Sequence, residues 1–571
     1  MIERVTVEYF KRYKKQVFDL AEHVVLAGPN NSGKTTLLQA IAVWNLALQK
    51  WTASRGGESG SKARERTGVP ITRKEFVAIP LREMQLLWHE TSTALRKDEL
   101  GPGQRTGYPR VLTITLEGRS GNQTWELRFE FRCSGTELLY VKPAPEHVEN
   151  LKAVQDIMVV HVPPFSGIGA EETRFDRPYQ DLLIGQGKPG DILRNLLLEV
   201  NENADKTRWE SLRDEVQKIF GYTLQPPEYK GRPFIIATYL PGIPKHGSRN
   251  GLSDLDVSSA GSGFHQVLLL LGFLYSRTST VLLLDEPDAH LHVVLQKQVY
   301  DRLRIIATER KCQLIIATHS EVLLDGTSPE LILSFYNEPH RLIKEVERDQ
   351  VREALKRLSA MDLLLAEQAE GVLYVENESD FNLLRAWAKV LRHPTQEWFT
   401  QRPFWHPNQG RNPREAHAHF FALRAVKANI KGYLLLDGDN RALPDREVVA
   451  DGLVIGRWTR YEAENYLINL AALERFLAAP PLMAEAAQRY MQDELPPAVI
   501  RDPLGDHDYM NRTPASKTLL PGFFRAAGNP LRKAGYFLIA EQMKPEELCA
   551  EVKEKLDDIG RSLGLMRVEA T

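Results

Sequence analysis

Eight consecutive residues, Gly28-Pro29-Asn30-Asn31-Ser32-Gly33-Lys34-Thr35, have the spacing that lets backbone N–H groups close round a chain of phosphates. Asn30, Asn31, Ser32 and Gly33 form the cradle, Lys34 reaches the outer phosphates, and the Thr35 hydroxyl suits magnesium. Thr36 opens a helix whose N-terminal dipole adds positive potential. The run Val281-Leu-Leu-Leu-Asp285-Glu286 ends an apolar strand in two carboxylates. Asp285 is placed to hold the magnesium through water, and Glu286 to polarise an attacking water as general base. A second apolar strand, Gln313 to Ala317, delivers His319 to the γ-phosphate end. Between these motifs, Ser258-Ser259-Ala260-Gly261-Ser262-Gly263 gathers small residues ahead of a leucine-rich helix. The expected ligands are ATP and magnesium.

The second half carries another set of acids. Val372 to Val375 ends in Glu376, followed four residues later by Asp380, and Gly432 to Leu436 ends in Asp437-Gly438-Asp439. If a helix starts near Asn377, Glu376 and Asp380 meet at its first turn and form one edge of a cage for a hard cation. Asp437 and Asp439 can face one side across the glycine. Oxygens from both pairs suit magnesium acting on a phosphodiester, and two ions can clamp its attacking and leaving oxygens. Simple helix capping by acids is the alternative.

These residues need elements to hold them. Val5 to Tyr13 alternates like a strand, His23 to Ala27 is apolar, and Thr36 to Leu48 has helical spacing. Trp51 to Arg73 has the composition of an exposed insertion. Val111 to Phe131 alternates like paired strands, Pro189 to Val216 carries a helical apolar stripe, and Arg352 to Ala369 reads as a helix before the second strand–acid–helix pattern. At 571 residues the chain exceeds one core. The fold class is α/β, with an ATPase domain over 1–365, insertions near 50–110 and 145–250, and a second α/β domain with C-terminal helices over 370–571.

The net charge of −2 gives no global attraction to a polyanion, and Arg402, Arg411, Arg414, Arg424, Lys427 and Lys431 read as a solvated face. Three scattered cysteines exclude a disulfide framework. The longest apolar run, Val267 to Tyr275, is too short to span a bilayer, so a cytoplasmic protein without membrane contact is expected. His406, His417 and His419 read as solvated or helix-facing rather than as a zinc site.

Together the nucleotide motifs resemble the ABC-type ATPases of the OLD (overcoming lysogenization defect) group, related to RecF and SMC-like proteins. The resemblance implies a homodimer through the ATPase heads, with higher assembly open. Ser259, Gly261 and Gly263 of one subunit's signature loop would contact the nucleotide held by the other. The loop departs from Leu-Ser-Gly-Gly-Gln, which leaves Ser259 and Ser262 both open as the phosphate contact, and no Q-loop glutamine stands out. His290 and His292, after the acids, read as structural or dimer contacts. Strand-Glu-helix followed by strand-Asp-x-Asp resembles a Toprim nuclease domain, although Asn377 stands where many such sequences have glycine. That resemblance adds Glu464 for a second metal, magnesium or manganese, and Lys517 to stabilise developing negative charge. The implied function is an ATP-dependent or ATP-regulated endonuclease acting on DNA, in antiphage defence or repair, with a partner protein from a defence operon. A non-cleaving ATPase scaffold and an RNA (tRNA) nuclease are the rival readings.

Overall fold

The computed structural model describes residues 1–55, 68–100, 107–242, 253–277, 279–401, 403–408, 413–439, 452–477 and 480–566, and the backbone of 446–450. The chain divides into two units, Met1–Leu355 and Lys356–Thr571.

In the first unit a parallel sheet carries the nucleotide motifs. The strand His23–Ala27 pairs with Gln313–Thr318, which pairs with Val281–Asp285, which pairs with Val159–Val162 at one side. All four run parallel, so their carboxyl ends open on the same edge, where ligands bind in such sheets. Val24–Ala27, Val281–Leu284 and Leu314–Ala317 are unbroken apolar runs because both faces of the sheet are covered there.

A second, antiparallel sheet orders Tyr13–Asp19, Ile2–Phe10, Leu112–Ser120, Gln123–Cys133, Leu138–Pro143 and Val69–Thr72. The helix Lys34–Arg55 packs against both sheets, which is why its middle is buried on every face and lacks the usual amphipathic stripe. Trp44 fixes the seam, donating from Nε1 to Leu127 O at 2.9 Å and stacking on Trp125.

This helix outruns the expected Thr36–Leu48, since its C-terminal half also gains packing from the antiparallel sheet. Of the expected insertion from Trp51 to Arg73, residues 56–67 lie outside the described residues, and Val69–Thr72 is a strand. The expected helix from Pro189 to Val216 is two, Leu193–Glu202 and Thr207–Phe220, because Asn203 takes an extended ψ of 142°. Asn203 Oδ1 then accepts from Asp205 N at 3.0 Å, and Asp205 Oδ1 from Thr207 N at 3.2 Å, restarting the chain as a new helix. Likewise Arg352 to Ala369 holds the end of Glu345–Arg357 and the whole of Ala360–Gln368, which a Ser359–Asp362 capping box starts anew.

The second unit is built on a five-stranded sheet. Trp405–Pro407, Gly371–Val375, Lys431–Leu436 and Leu453–Arg457 run parallel, and Arg446–Ala450 pairs antiparallel to the last. Helix Glu378–Val390 covers one face, and C-terminal helices including Leu520–Ala526, Phe537–Gln542 and Ala550–Ser562 complete an apolar core. Among the described residues no helix is long and apolar enough to cross a membrane.

Candidate functional site

In the first unit the loop after His23–Ala27 turns through Asn31 at φ 62° and Gly33 at φ 108° before the helix begins at Lys34. Gly33 is required twice over, by its positive φ and because a Cβ would stand 2.0 Å from Tyr13 Oη. A cavity of about 470 Å³ is lined by Asn30, Asn31, Ser32, Gly33, Lys34, Thr35, Thr36 and Glu286. Lys34 Nζ donates to Gly28 O at 2.7 Å and Pro29 O at 2.8 Å, coiling the side chain inside the loop. Burial lowers its pKa to about 8, against the pull of Glu286 and Asp285.

The carboxyl ends of the neighbouring strands close the site. Thr35 Oγ1 donates to Asp285 Oδ1 at 3.1 Å, joining the two expected magnesium positions across 250 residues of sequence. Burial raises the Asp285 pKa to about 6. Glu286 sits at φ 52°, a strained conformation for a non-glycine residue, and is held from three sides. Its N–H donates to Ala317 O at 2.9 Å, its carbonyl accepts from Gln266 Nε2 at 3.2 Å, and its carboxylate faces His319 Nδ1 at 3.4 Å. That contact holds the Glu286 carboxyl below, and the His319 imidazole above, their ordinary pKa values. Asp288 braces the switch strand by accepting from Thr318 Oγ1 at 2.8 Å.

Sequence reading passed over Arg12 and Tyr13, in the hairpin between Ile2–Phe10 and Tyr13–Asp19. Arg12 Nη1 donates to Asn31 O, and the Tyr13 ring packs on Gly33. Gln266 was also missed, because its contact with Glu286 joins helix to strand rather than falling within a motif. His290 takes φ 70° and meets the Phe165 ring at 6.1 Å, and His292 precedes the helix Val293–Glu309.

The small-residue segment forms a turn, Val257–Ser259, followed by the helix Ser262–Ser276 with Gly261 as its N-cap residue. Ser258 Oγ donates to Asp256 Oδ1 at 2.6 Å, and Ser259 Oγ to Asp256 O at 2.7 Å. Both hydroxyls are therefore engaged within the turn. Ser262, exposed on the first residue of the helix, projects beside Gly261 and Gly263.

In the second unit four of the expected acids converge from three stretches of chain. Glu376 ends the strand Gly371–Val375, and Asn377 caps the next helix in a reciprocal box with Asp380. Asp380 Oδ2 accepts from Asn377 N at 3.2 Å, while its Oδ1 is buried without a hydrogen-bond partner. One carboxylate oxygen thus caps the helix, as the capping alternative expected, and the other makes no hydrogen bond. Glu376 lies within hydrogen-bonding reach of Asp437, and burial, Asp380 and Glu376 together push Asp437 well above the carboxylate range. Burial and then Glu464 raise Asp380 to about 8, and Glu464 itself is fully buried and raised by burial. Asp439 follows two residues later in the same turn, half-buried.

Gly438 between these aspartates is fixed by close approach, since a Cβ would lie 2.1 Å from Arg460 O and 2.6 Å from Trp458 O. The cation among the acids is Lys533, which sequence reading missed, with Nζ 2.9 Å from Glu464 Oε1. Lys517 is exposed, one residue after Ser516, whose N–H donates to Glu462 Oε1 at 2.5 Å. Only the fold brings Lys533 to Glu464, and no local pattern marks it.

Among the described residues no group of three or more His, Cys, Asp or Glu side chains is set to hold a metal ion. The donor chemistry nevertheless fits a divalent cation. Carboxylate oxygens are the donors a hard divalent cation takes and Asp380 Oδ1 is buried without a hydrogen-bond partner, so a cation there would displace the protons that burial holds on Asp380 and Asp437. The histidines lie apart: Tyr374 Oη and His419 Nδ1 are 2.9 Å apart and His406 stacks on His419 at 4.1 Å, a packed internal cluster. Arg402 and Arg411 lie outside the described residues, while Lys427 Nζ donates to Ala369 O at 2.8 Å.

Residues 163–325 match a family model described as "AAA domain, putative AbiEii toxin, Type IV TA system". The match takes in Asp285, Glu286, His319 and the small-residue turn, and identifies an AAA-type ATPase domain. The chain is similar to a solved SMC head bound to the C-terminal winged-helix domain of ScpA, at 14% identity and TM-score 0.35, over 58% of this chain and 94% of that one. It is similar also to the SMC head of Thermotoga maritima, at 14% identity and TM-score 0.30, with the same coverage of both chains. A head domain derived from Pyrococcus furiosus with an extended coiled coil matches at 16% identity and TM-score 0.34, over 58% of this chain and 92% of that one. No curated protein matches the chain.

Proposed function

We propose that the protein is an ATP-regulated endonuclease, in which the ATPase site of the first unit governs a phosphodiester-cleaving site in the second. The observation that carries the nuclease reading is the meeting of Glu376, Asp380, Asp437 and Glu464 beside the carboxyl ends of two parallel strands. Acids so crowded are costly to bury, and a metal-binding role accounts for them where packing does not. The arrangement resembles a Toprim domain, and the paired motifs resemble the OLD nucleases.

On ATP, Asn30 to Thr36 would wrap the phosphates with backbone N–H groups, and Lys34 would leave the Gly28 and Pro29 carbonyls for the outer phosphates. Thr35 and Asp285 would hold magnesium, which supplies charge neutralisation on the β- and γ-phosphates. Glu286, kept ionised beside His319, would accept the proton of the attacking water. His319 would then face the departing phosphate. Ser262, rather than Ser259, is the serine free to reach a nucleotide held by a second copy, since Ser258 and Ser259 are bonded within their own turn. A homodimer through the ATPase heads follows from that reading.

In the second unit Glu376, Asp380, Asp437, Asp439 and Glu464 would hold magnesium or manganese, which supplies a polarised water and neutralises the phosphodiester. Lys533 would meet negative charge on the scissile phosphate, with Lys517 at the rim. DNA is the proposed substrate and phage defence or DNA repair the proposed setting, with a partner protein from the same operon.

The Lys533–Glu464 ion pair favours a second reading, in which the acids are internally neutralised and the protein is a non-cleaving scaffold. Incubation of supercoiled plasmid with magnesium or manganese, with and without ATP, separates the two. The nuclease reading expects nicking by wild type, none by Asp437→Ala plus Asp439→Ala, and altered ATP dependence in Lys34→Ala. Cleavage of tRNA alone would move the substrate to RNA. Intact ATP turnover with no cleavage of either nucleic acid would leave the scaffold.

A further inference from the structure

Arg194 is almost fully buried, with 1% of its side chain exposed, yet its guanidinium belongs to none of the motifs above. It occupies the first turn of the helix Leu193–Glu202, which packs on the helix Ser262–Ser276, where Gly272 lets Leu196 approach. Glu172 secures that helix start, accepting from Arg194 N at 2.8 Å and from Asn195 N at 2.6 Å. The guanidinium then spans two loops. Nη1 donates to Gly169 O at 2.9 Å and Nη2 to Ala170 O at 3.3 Å, while Nη2 also pairs with Asp256 Oδ1 at 3.0 Å.

Asp256 organises the small-residue turn. The same Oδ1 accepts from Ser258 N at 2.8 Å and Ser258 Oγ at 2.6 Å, and the Asp256 carbonyl accepts from Ser259 Oγ. His265 completes the turn from the following helix, with Nε2 2.6 Å from Val257 O. At its other end, the loop holding Gly169 and Ala170 begins at Pro163, after the strand Val159–Val162. Phe165 there shares a small cavity with Gln266, Asp285 and Pro287. Gln266 in turn holds the Glu286 carbonyl.

We infer that the Arg194–Asp256 pair, braced by Glu172, is a positioning device. It ties the loop beside the catalytic carboxylates to the turn that presents Ser262 to the other copy's nucleotide. The inference rests on the head-dimer reading above and adds the residues that make the presenting surface rigid. A fixed guanidinium with three oxygen contacts in two loops favours one mutual arrangement of those loops, whereas a lysine there offers a point charge without the planar fork. Arg194 and Asp256 are assigned no contact with nucleotide, so their loss should spare binding to the cradle of the same chain and impair the step that needs two copies.

The test uses full-length protein in the Glu286→Gln background, where bound ATP persists. Fluorescent mant-ATP measures binding to each subunit, and sedimentation velocity measures ATP-induced dimerisation. Asp256→Asn and Arg194→Lys should bind mant-ATP as the parent does. Their ATP-induced dimerisation should weaken by about tenfold or more, within the usual range of coupling between sites. In the Glu286 background the same changes should lower kcat with little change in KM. Asp256 has 42% of its side chain exposed, so its variant stays informative if Arg194→Lys fails to fold. Dimerisation and kcat unchanged in a folded Asp256→Asn protein would overturn the device alone. A parent that binds mant-ATP yet never dimerises would overturn the head-dimer reading and the device with it.

Discussion

Asp285 shows how a residue suited to its chemistry is costly to its fold. Burial lifts its pKa to about 6 from an ordinary 3.8, so the folded protein holds that proton more tightly than the unfolded chain does. The folded state therefore binds more protons between pH 3.8 and about 6, and stability falls as pH rises through that window. Asp285→Asn keeps the shape and removes the buried charge. It should stabilise nucleotide-free protein at pH 7.5 by up to roughly 3 kcal/mol, read as a higher thermal midpoint, while ATP turnover is lost. A lower midpoint than wild type would show that the Thr35 hydrogen bond and Lys34 outweigh the cost of burying the charge. The residues legible in sequence were those with contiguous company, since Gly28 to Thr35 and Asp285-Glu286 each carry their own context. Lys533 was not legible because its partner Glu464 lies in a different segment and only the tertiary fold joins them. Ser262 against Ser259 could not be decided either, since both sit among small residues and only the bonds of Ser259 to Asp256 separate them.

At the scale of elements, strands that end in acids were readable because both periodicity and polarity change at one point. The helix Lys34–Arg55 was readable in its start but not its length, which packing between two sheets decides. The breaks at Asn203 and Ser359 escaped notice because each lies within an apolar stripe that continues on both sides, and local side-chain bonds override it. In Asp437-Gly438-Asp439 the glycine, read from the sequence as letting the two acids face one side, is needed for space. A Cβ at Gly438 would strike the carbonyls of Arg460 and Trp458, the segment that leads to Glu464. Gly438→Ala should therefore displace Asp437 from Glu376 and Glu464, abolish cleavage, and cost about 1–3 kcal/mol of stability. Mant-ATP binding should persist, because the cradle lies in the other unit. Plasmid cleavage and a thermal melt read both effects, and wild-type cleavage by a folded Gly438→Ala protein would refute the space argument.

For the whole molecule, each unit gathers acids at the carboxyl edge of a parallel sheet, but they handle buried charge differently. The first surrounds two carboxylates with Lys34, Thr35 and His319. The second gathers Glu376, Asp380, Asp437 and Glu464, with Lys533 paired to Glu464, and burial first and neighbouring acids second raise Asp380 and Asp437 above their ordinary range. Those buried acids are the proposed seat of a divalent cation, which would displace their protons. Titration of Mn²⁺ into nucleotide-free Asp285→Asn protein, followed by electron paramagnetic resonance, tests this most directly, since the carboxylate that would hold a metal in the first unit is removed. Saturable Mn²⁺ binding that disappears on adding Asp380→Asn and Asp437→Asn is the predicted result. Binding no tighter than in that triple variant would contradict it, and would make the acids a structural cluster neutralised by protons and Lys533.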